Sequence, residues 1–339
     1  MATDLFAAAI VLLVLIGPLL IKPIERNLEL FFLTTGLFTA LVMREFDWGL
    51  VAAVVTEPLS FTLAVLVFGA AFRGSRAQLD RLLARLIVVV EPRRICFYLT
   101  VALAGLAPLI TPVVSALVFV EAIALLRLER STRNTVTVLA CFAIGIGAGI
   151  TPLGMPGIAV VLSSLKADFW YLGRLLGPLV AVVVLVAAAP IFALPFNSVT
   201  RQEGSEPSEP WRLVVLIRPA KLYVFIAGLV ALSDGLRPVA DQYVHRLPAA
   251  FLFWINSMSA VVNNSTLAAL EIGPTLSMGQ QRAALLGLLI SGGMLVTGNI
   301  PNLVAAGRLG ITSREWARVG LVAGVLLMLL CFAALHLIG

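Results

Sequence analysis

The sequence predicts an all-α polytopic membrane protein with about eight membrane spans and two re-entrant hairpins, built as an inverted repeat. The first observation is composition, since 60% of the 339 residues are apolar and only 12% are charged. A globular domain is about half apolar and about a quarter charged. The second is the length of the apolar runs, roughly the 17–25 residues that cross a bilayer. The third is that one order of segments occurs twice. A soluble enzyme, a nucleic-acid-binding domain and a disordered chain are therefore excluded.

The apolar runs divide the chain into spans and hairpins. Eight spans are predicted at about 5–21, 28–43, 50–72, 134–162, 172–194, 213–233, 281–309 and 316–338, with 134–162 and 281–309 interrupted by Gly and Pro. Two apolar stretches broken by polar residues, 94–127 and 248–278, fit hairpins that enter and leave on one side. The predicted domains are a two-span scaffold (1–49), repeat 1 (50–195), a polar linker (196–212) and repeat 2 (213–339).

The positions of the basic residues support this layout. An amphipathic stretch from Arg73 to Arg94 is predicted to lie in the membrane interface. With both hairpins re-entrant, 18 Lys and Arg residues fall on one side and 6 on the other. The side rich in basic residues is cytoplasmic by the positive-inside rule, which puts both termini outside the cytoplasm. The expected location is a bacterial inner membrane. The run from Leu5 to Ile21 lacks a positive n-region and a cleavage site, so we interpret it as a retained span.

An internal repeat relates 50–194 to 213–338. Each copy has a span, an interfacial helix, a hairpin, an interrupted span and a further span. The hairpin arm from Ser115 to Glu121 corresponds to Ser265 to Glu271 at an offset of 150, and Pro156 corresponds to Pro301. Three full spans per copy is an odd number, so the second copy is predicted to be inverted. Inverted repeats with broken helices near the midplane are typical of secondary transporters.

The strongest candidate site is a run of four polar residues, predicted at the tip of the second hairpin: Asn263, Asn264, Ser265 and Thr266. Non-helical backbone at membrane depth must be buried in protein or line a wet cavity. These side chains offer oxygen ligands to a small cation. The alternative is that they only cap the following half-helix, as Ser, Thr and Asn commonly do.

The first hairpin tip and the two helix breaks supply further candidates. Gly and Pro at a break free backbone groups with which a carrier can hold an ion, although kinks also serve packing. The candidate ligands are Thr111 and Ser115 at the first tip, Thr151 and Gly154 in one break, and Thr297, Gly298, Asn299 and Asn302 in the other. A sodium ion is predicted at Asn264, Ser265 and Asn299. A packed turn explains the first tip equally well.

Three carboxylates lie within apolar runs, and such groups are functional candidates by default. Glu57, Glu121 and Glu271 are therefore proton-coupling candidates. Glu271 lies seven residues after Asn264, on the same helix face and about 10 Å along the axis. Glu57 before Pro58 also fits a helix start. Ser233 and Asp234 are interpreted as the cap of an outer interfacial helix.

Enzymatic chemistry has no support in the sequence. It contains no hydrolase elbow, phosphate-binding loop or HExxH stretch. Cys96, Cys141 and Cys331 lie far apart in apolar runs, and the chain has two histidines. We therefore expect no catalytic residue, no cofactor and no disulfide framework.

The layout and several motifs resemble the ion transporter superfamily, which includes arsenite, citrate and dicarboxylate carriers and NhaD-type sodium/proton antiporters. The stretch Gly298-Asn299-Ile300-Pro301-Asn302 is similar to the G-x-x-P-N stretch of its second interrupted helix. The opening GPLLIKPIE (17–25) and Thr56-Glu57-Pro58 resemble a branch of short predicted cation transporters of poorly defined function. The first hairpin tip lacks the Asn of the dicarboxylate carriers' Ser-Asn-Thr triplet, which argues against a symmetrically held dicarboxylate. The resemblance implies a homodimer.

Three functions remain open from the sequence. The first is a secondary carrier of a small inorganic cation, a sodium/proton antiporter working by alternating access, with Na⁺ and H⁺ as the ions. The second is a sodium-coupled symporter of a small anion or carboxylate, although no Arg, a favoured carboxylate partner, lies at the tips and breaks. The third is a non-transporting scaffold or sensor. The expected partners are an inorganic ion and the bilayer, without nucleic acid.

Overall fold

The computed structural model describes residues 2–21, 23–24, 27–59, 62–63, 66–67, 74, 78, 81, 90–126, 128–196, 217–260 and 264–338. Within these ranges the regular structure is helical. Most of the arginine-rich stretch 73–94 and of the linker 196–212 lies outside the described residues.

The helices of the first half follow the predicted segments closely. They are α1 (Ala2–Leu20), α2 (Leu28–Met43), α3 (Trp48–Leu59), α4 (Pro92–Ile110), α5 (Pro112–Leu125), α6 (Arg130–Ala148), α7 (Pro156–Ser164) and α8 (Tyr171–Ala188), with a 3-10 turn at Ala189–Ala193. In the second half they are α9 (Arg218–Tyr243), α10 (Ala249–Ile255), α11 (Asn264–Glu271), α12 (Met278–Ser291), α13 (Ile300–Leu309) and α14 (Ser313–Ile338). Shorter 3-10 turns lie at Val244–Arg246, Asn256–Ala260 and Val296–Gly298.

Within the described ranges, four helical segments are long and apolar enough to cross a membrane by length and composition: Pro92–Ile110, Tyr171–Ala193, Tyr223–Arg246 and Ser313–His336. On α14, Val322, Leu326 and Leu330 are each more than half exposed. Large apolar side chains in such a stripe belong against lipid, because in water each would forgo about 1.5–3 kcal/mol of burial. The helices are therefore those expected of an integral membrane protein.

Both predicted interrupted spans are broken where Gly and Pro occur. One helix stops at Ala148 and resumes at Pro156, which occupies the first helical position that suits proline. The other stops at Ser291 and resumes at Ile300. A Cβ on Gly154 would lie 1.9 Å from the Ala148 carbonyl oxygen, so the tight break requires glycine there. Gly145 lies inside α6, before this break.

The two predicted hairpins are each divided into two helical arms. In the first, α4 and α5 meet at Thr111, whose φ of 75° ends the helix before Pro112. In the second, α10 and a 3-10 turn lead into α11. Because α4 alone is long enough to cross a membrane, a re-entrant path for the first hairpin stays a prediction.

One prediction about α9 is wrong. This helix continues to Tyr243, so Ser233 and Asp234 lie within it and do not cap a separate helix. The reason is close packing on α2: a Cβ on Gly235 would lie 2.8 Å from the Ala40 backbone nitrogen, and one on Gly228 would lie 2.4 Å from that of Leu33. Small residues let two helices approach in this way, and the contact extends the helix past the predicted end.

The helices of the two halves pack crosswise. Within each half, the first hairpin arm packs on the first part of the broken helix, α4 on α6 and α10 on α12. Gly147 and Gly287 allow these contacts, because a Cβ on either would lie within 2.4 Å of a backbone oxygen of the neighbouring arm. Between the halves, α5 packs on α13 and α11 packs on α7. The second arm of each hairpin therefore contacts the helix that follows the break in the other half.

Candidate functional site

The two broken helices cross where α6 and α12 end. A Cβ on Gly149 would lie 2.2 Å from Leu289 Cδ2, and a Cβ on Gly293 would lie 2.4 Å from Phe142 Cδ1. Each helix therefore needs a glycine at the point where the other helix's side chain passes. The ends of the two broken helices therefore lie next to each other.

Asn264 begins α11 and faces this crossing. Its side chain is 3% exposed and lies against Gly292, where an added Cβ would be 2.2 Å from Asn264 Nδ2. Neither Oδ1 nor Nδ2 of Asn264 has a hydrogen-bond partner among the described residues. A buried polar group without a partner costs about 1–3 kcal/mol. The described part of the chain thus leaves the hydrogen-bonding capacity of the Asn264 side chain unused.

Asn302 approaches the same break from α13. This fully buried side chain donates from Nδ2 to the carbonyl oxygens of Gly292 and Leu295, both at 2.9 Å. It thereby ties α13 to the carbonyl of Gly292, directly after α12, and to that of Leu295 within the break. Its Oδ1 has no partner among the described residues. Asn264 and Asn302 therefore contact the same residue, Gly292, and each retains an unpartnered oxygen. We call Asn264, Gly292 and Asn302 the break site.

The other predicted ligands of the second half divide into three groups. Gly298 belongs to the same region, because an added Cβ would lie 2.6 Å from the Gly292 oxygen and 3.0 Å from the Ala260 oxygen. Asn299 is half-buried and lies against Gly145 of α6, while Thr297 is exposed. Asn263 lies outside the described residues. The prediction of a non-helical tip is wrong for Asn264, Ser265 and Thr266, which form the first turn of α11.

The predicted ligands of the first half are mostly occupied by structural bonds. Thr111 Oγ1 accepts the Val114 N–H at 3.5 Å and so caps α5. Thr151 Oγ1 donates to the Pro108 carbonyl at 2.5 Å, which ties the break to α4. Gly154 is required by its contact with Ala148. Ser115 is fully buried, and its Oγ has no partner among the described residues. The first tip is therefore less suited to an ion than the second.

The three candidate carboxylates lie in different surroundings. Glu271 ends α11 and accepts a hydrogen bond from Asn256 Nδ2 at 2.8 Å. Glu57 on α3 accepts from the Ser163 hydroxyl at the end of α7. Glu121 is half-buried on α5. Only Glu271 lies on the same helix as Asn264.

Sequence reasoning missed a buried polar cluster beside the break site. Asn256, Ser259 and Ser291 are each 0% exposed. The Ser259 and Ser291 hydroxyls are 2.5 Å apart, and Ser291 Oγ lies 2.7 Å from the Asn256 carbonyl oxygen. The available signal was three polar residues in otherwise apolar segments, with Ser291 directly before Gly292 and Gly293.

A second polar cluster joins α3, α7 and α9. Arg237 pairs with Asp234 at 3.1 Å and donates to Ser164 Oγ at 2.6 Å. Ser163, the neighbour of Ser164, bonds to Glu57. This cluster gives Asp234 an ion-pairing role within α9 in place of the predicted cap.

Outside the spans, Asp168 lies in the turn between α7 and α8. Its hydrogen bond with the Arg174 guanidinium, aided by the Trp170 backbone N–H, holds the pKa of this exposed carboxyl below its usual value.

The described part of the chain contains neither a metal-binding cluster nor a disulfide. No group of three His, Cys, Asp or Glu side chains there could hold a metal ion. Cys96, Cys141 and Cys331 are buried, and their thiols are free.

Comparison with known proteins identifies the family. No curated protein matches the sequence. Residues 5–338 match a family described as "Protein of unknown function (DUF1646)". Because the match covers nearly the whole chain, the protein belongs to the DUF1646 family.

Proposed function

We propose that this protein is a secondary carrier of a small inorganic cation, a sodium/proton antiporter that works by alternating access. The observation that carries the proposal is Asn264, buried beside Gly292 with neither side-chain polar atom partnered by any residue that the structure describes. A packed structural cap would have its donor and acceptor satisfied. An asparagine that bears this cost at a helix break is suited to a ligand that comes and goes.

The chemistry of the break site favours a cation over a bulky anion. The unpartnered Oδ1 atoms of Asn264 and Asn302 are neutral oxygens, and hard cations take oxygen ligands of this kind. The break is also free of arginine, which commonly binds carboxylates bidentately. An ion held between Asn264 and the break would link α11 to α12 and α13, and so couple occupancy to their relative position.

Crosswise packing supports an inverted repeat. The contact of α5 with α13 and the contact of α11 with α7 are equivalent, since each joins a second hairpin arm to the helix after the other half's break. Two unrelated halves would have no reason to form equivalent contacts. In the proposed architecture, residues 94–127 and 248–278 enter the membrane from opposite faces and meet the broken helices near the midplane. The chain would lie in a bacterial inner membrane with both termini outside the cytoplasm. Glu271 would exchange the proton.

Flux through the purified protein tests this function. Proteoliposomes loaded with a pH-sensitive dye would receive a pulse of Na⁺, with Li⁺ and K⁺ in parallel. We expect sodium-driven proton movement that is weakened in Asn264→Ala and unchanged in Thr135→Ala. Thr135 is the matched control because it is half-buried and its hydroxyl donates to the Ser131 carbonyl of its own helix, away from the break site. Sodium-dependent anion uptake without proton movement would indicate a symporter, and no flux of any ion would indicate a scaffold or sensor.

A further inference from the structure

The buried polar cluster of Asn256, Ser259 and Ser291 lies between Glu271 and the break site. Asn256 and Ser259 belong to the 3-10 turn that follows α10, and Ser291 is the last residue of α12. None of the three is exposed. Burying three polar side chains in a membrane protein is costly unless each has a partner, so their partners are informative.

The amide of Asn256 has a defined orientation. Its Nδ2 donates to the Leu252 carbonyl and to Glu271 Oε2, both at 2.8 Å. Both neighbours are acceptors, so exchanging the amide nitrogen and oxygen would place Oδ1 against two acceptor oxygens and lose both hydrogen bonds. Asn256 Oδ1 is buried and has no partner among the described residues. The amide nitrogen therefore donates two hydrogen bonds, whereas the amide oxygen accepts none from the described residues.

That arrangement suits a carboxyl group that gains and loses a proton. An ionised carboxylate only accepts hydrogen bonds, whereas a protonated carboxyl also donates one. Asn256 Nδ2 serves the ionised form in the present structure. The vacant Oδ1, on the same amide group, can accept the proton of the neutral acid in a paired amide–acid contact. Neither form of Glu271 would then be left without a partner.

The same residue connects Glu271 to the break site through its main chain. The Asn256 carbonyl oxygen lies 2.7 Å from Ser291 Oγ, and Ser259 Oγ lies 2.5 Å from the same atom. Ser291 immediately precedes Gly292, against which the Asn264 side chain packs. A displacement of Asn256 thus reaches the break site through two contacts.

We propose that Asn256 is a positioning residue that pairs with Glu271 in both protonation states and connects it, through Ser291, to the break site. This inference rests on the proposed antiport function and names a residue through which proton and cation would be coupled. Protonation of Glu271 adds a second contact with the amide, from the acid O–H to Asn256 Oδ1, and the connected end of α12 carries that change to Asn264.

The other charged groups around Glu271 are few. On α9, Arg237 and Asp241 line the same small cleft as Glu271. Arg237 is engaged by Asp234 and Ser164, and Asp241 accepts from Thr275. Neither α7 nor the 256–260 turn contains a charged residue. On α12 the one charged residue is Arg282, which lines a separate cavity with Phe253 and His336.

The test measures how the half-saturating Na⁺ concentration for proton movement varies with pH. In Asn256→Leu, we expect the pH midpoint of this dependence to rise by about one unit. A hydrogen bond to a charged group is about twice as strong as a neutral one, so losing the amide favours the protonated form. Asn134→Leu is the matched control, because it removes another buried asparagine with an unpartnered Oδ1, on α6.

A second variant covers the case in which Asn256→Leu fails to fold. Asn256→Asp keeps the side-chain size and places a like charge beside Glu271, which should also raise the midpoint. A wild-type midpoint in whichever variant folds would overturn the inference while leaving antiport intact. Absence of sodium-driven proton movement in the wild-type protein would instead overturn the proposed function, and this inference with it.

Discussion

Replacing Asn264 by alanine tests the break site most directly. The substitution removes the two unpartnered polar atoms that lie against Gly292. If Asn264 binds the cation, losing one neutral ligand should cost about 1–3 kcal/mol. At about 1.4 kcal/mol per decade, this corresponds to an apparent affinity that is weaker by about five- to 150-fold.

The same variant should have the opposite effect on the ion-free protein. Because the substitution removes the unsatisfied amide of Asn264, ion-free Asn264→Ala should be at least as stable as the wild type. The stabilisation that sodium adds should also shrink. A ligand present at 100 times its Kd stabilises the folded protein by about 2.7 kcal/mol, and at the same concentration a ligand that binds tenfold more weakly stabilises it by about 1.4 kcal/mol. A residue that only caps α11 would show the reverse, a loss of stability with and without sodium.

Two measurements check this prediction in detergent or liposomes. The half-saturating Na⁺ concentration comes from proton flux, and the thermal unfolding midpoint is recorded across a sodium titration. Thr135→Ala serves as the control in both. Wild-type sodium affinity in both Asn264→Ala and Asn299→Ala, with normal expression, would refute the reasoning and assign these residues to helix capping.

Three further predictions concern topology, coupling and pH. In a background without the native cysteines, a cysteine at position 130 should label from the cytoplasm and one at position 280 from outside; labelling of both from one side would exclude hairpins opening on opposite faces. Glu271→Gln should abolish pH-dependent transport in a protein that still inserts normally, and unchanged pH dependence in both this variant and Glu57→Gln would leave Glu121 as the remaining candidate. Because Arg174 depresses the pKa of Asp168, the stability from this pair is present above the usual Asp pKa and is lost as pH falls through the folded value. Asp168→Asn should therefore flatten that part of the acid dependence of the unfolding midpoint, and an identical acid profile would mean that the pair adds nothing.

The positions of the helices follow from the sequence itself. The predicted segment 28–43 is the helix α2, and the predicted interruptions at 134–162 and 281–309 fall where α6 and α12 end. Hydropathy and the local chemistry of Gly and Pro suffice for this, because a helix satisfies its own backbone within a few residues. The same reasoning identified Asn264, Asn299 and Asn302 as polar residues at helix ends.

Tertiary structure alone decided what these residues contact. Asn264 and Asn302 meet at Gly292, Asn256 bonds to Glu271, and Ser163 bonds to Glu57. Several of these pairs join helices far apart in the sequence, and such contacts depend on which glycines let two helices approach. A glycine at a close crossing and a glycine at a kink are indistinguishable in the sequence, so the approach of α9 to α2 at Gly228 and Gly235 could not be predicted. The physical reason is that backbone hydrogen bonding in a helix is local, whereas the partner of a buried side chain is set by the packing of the whole bundle.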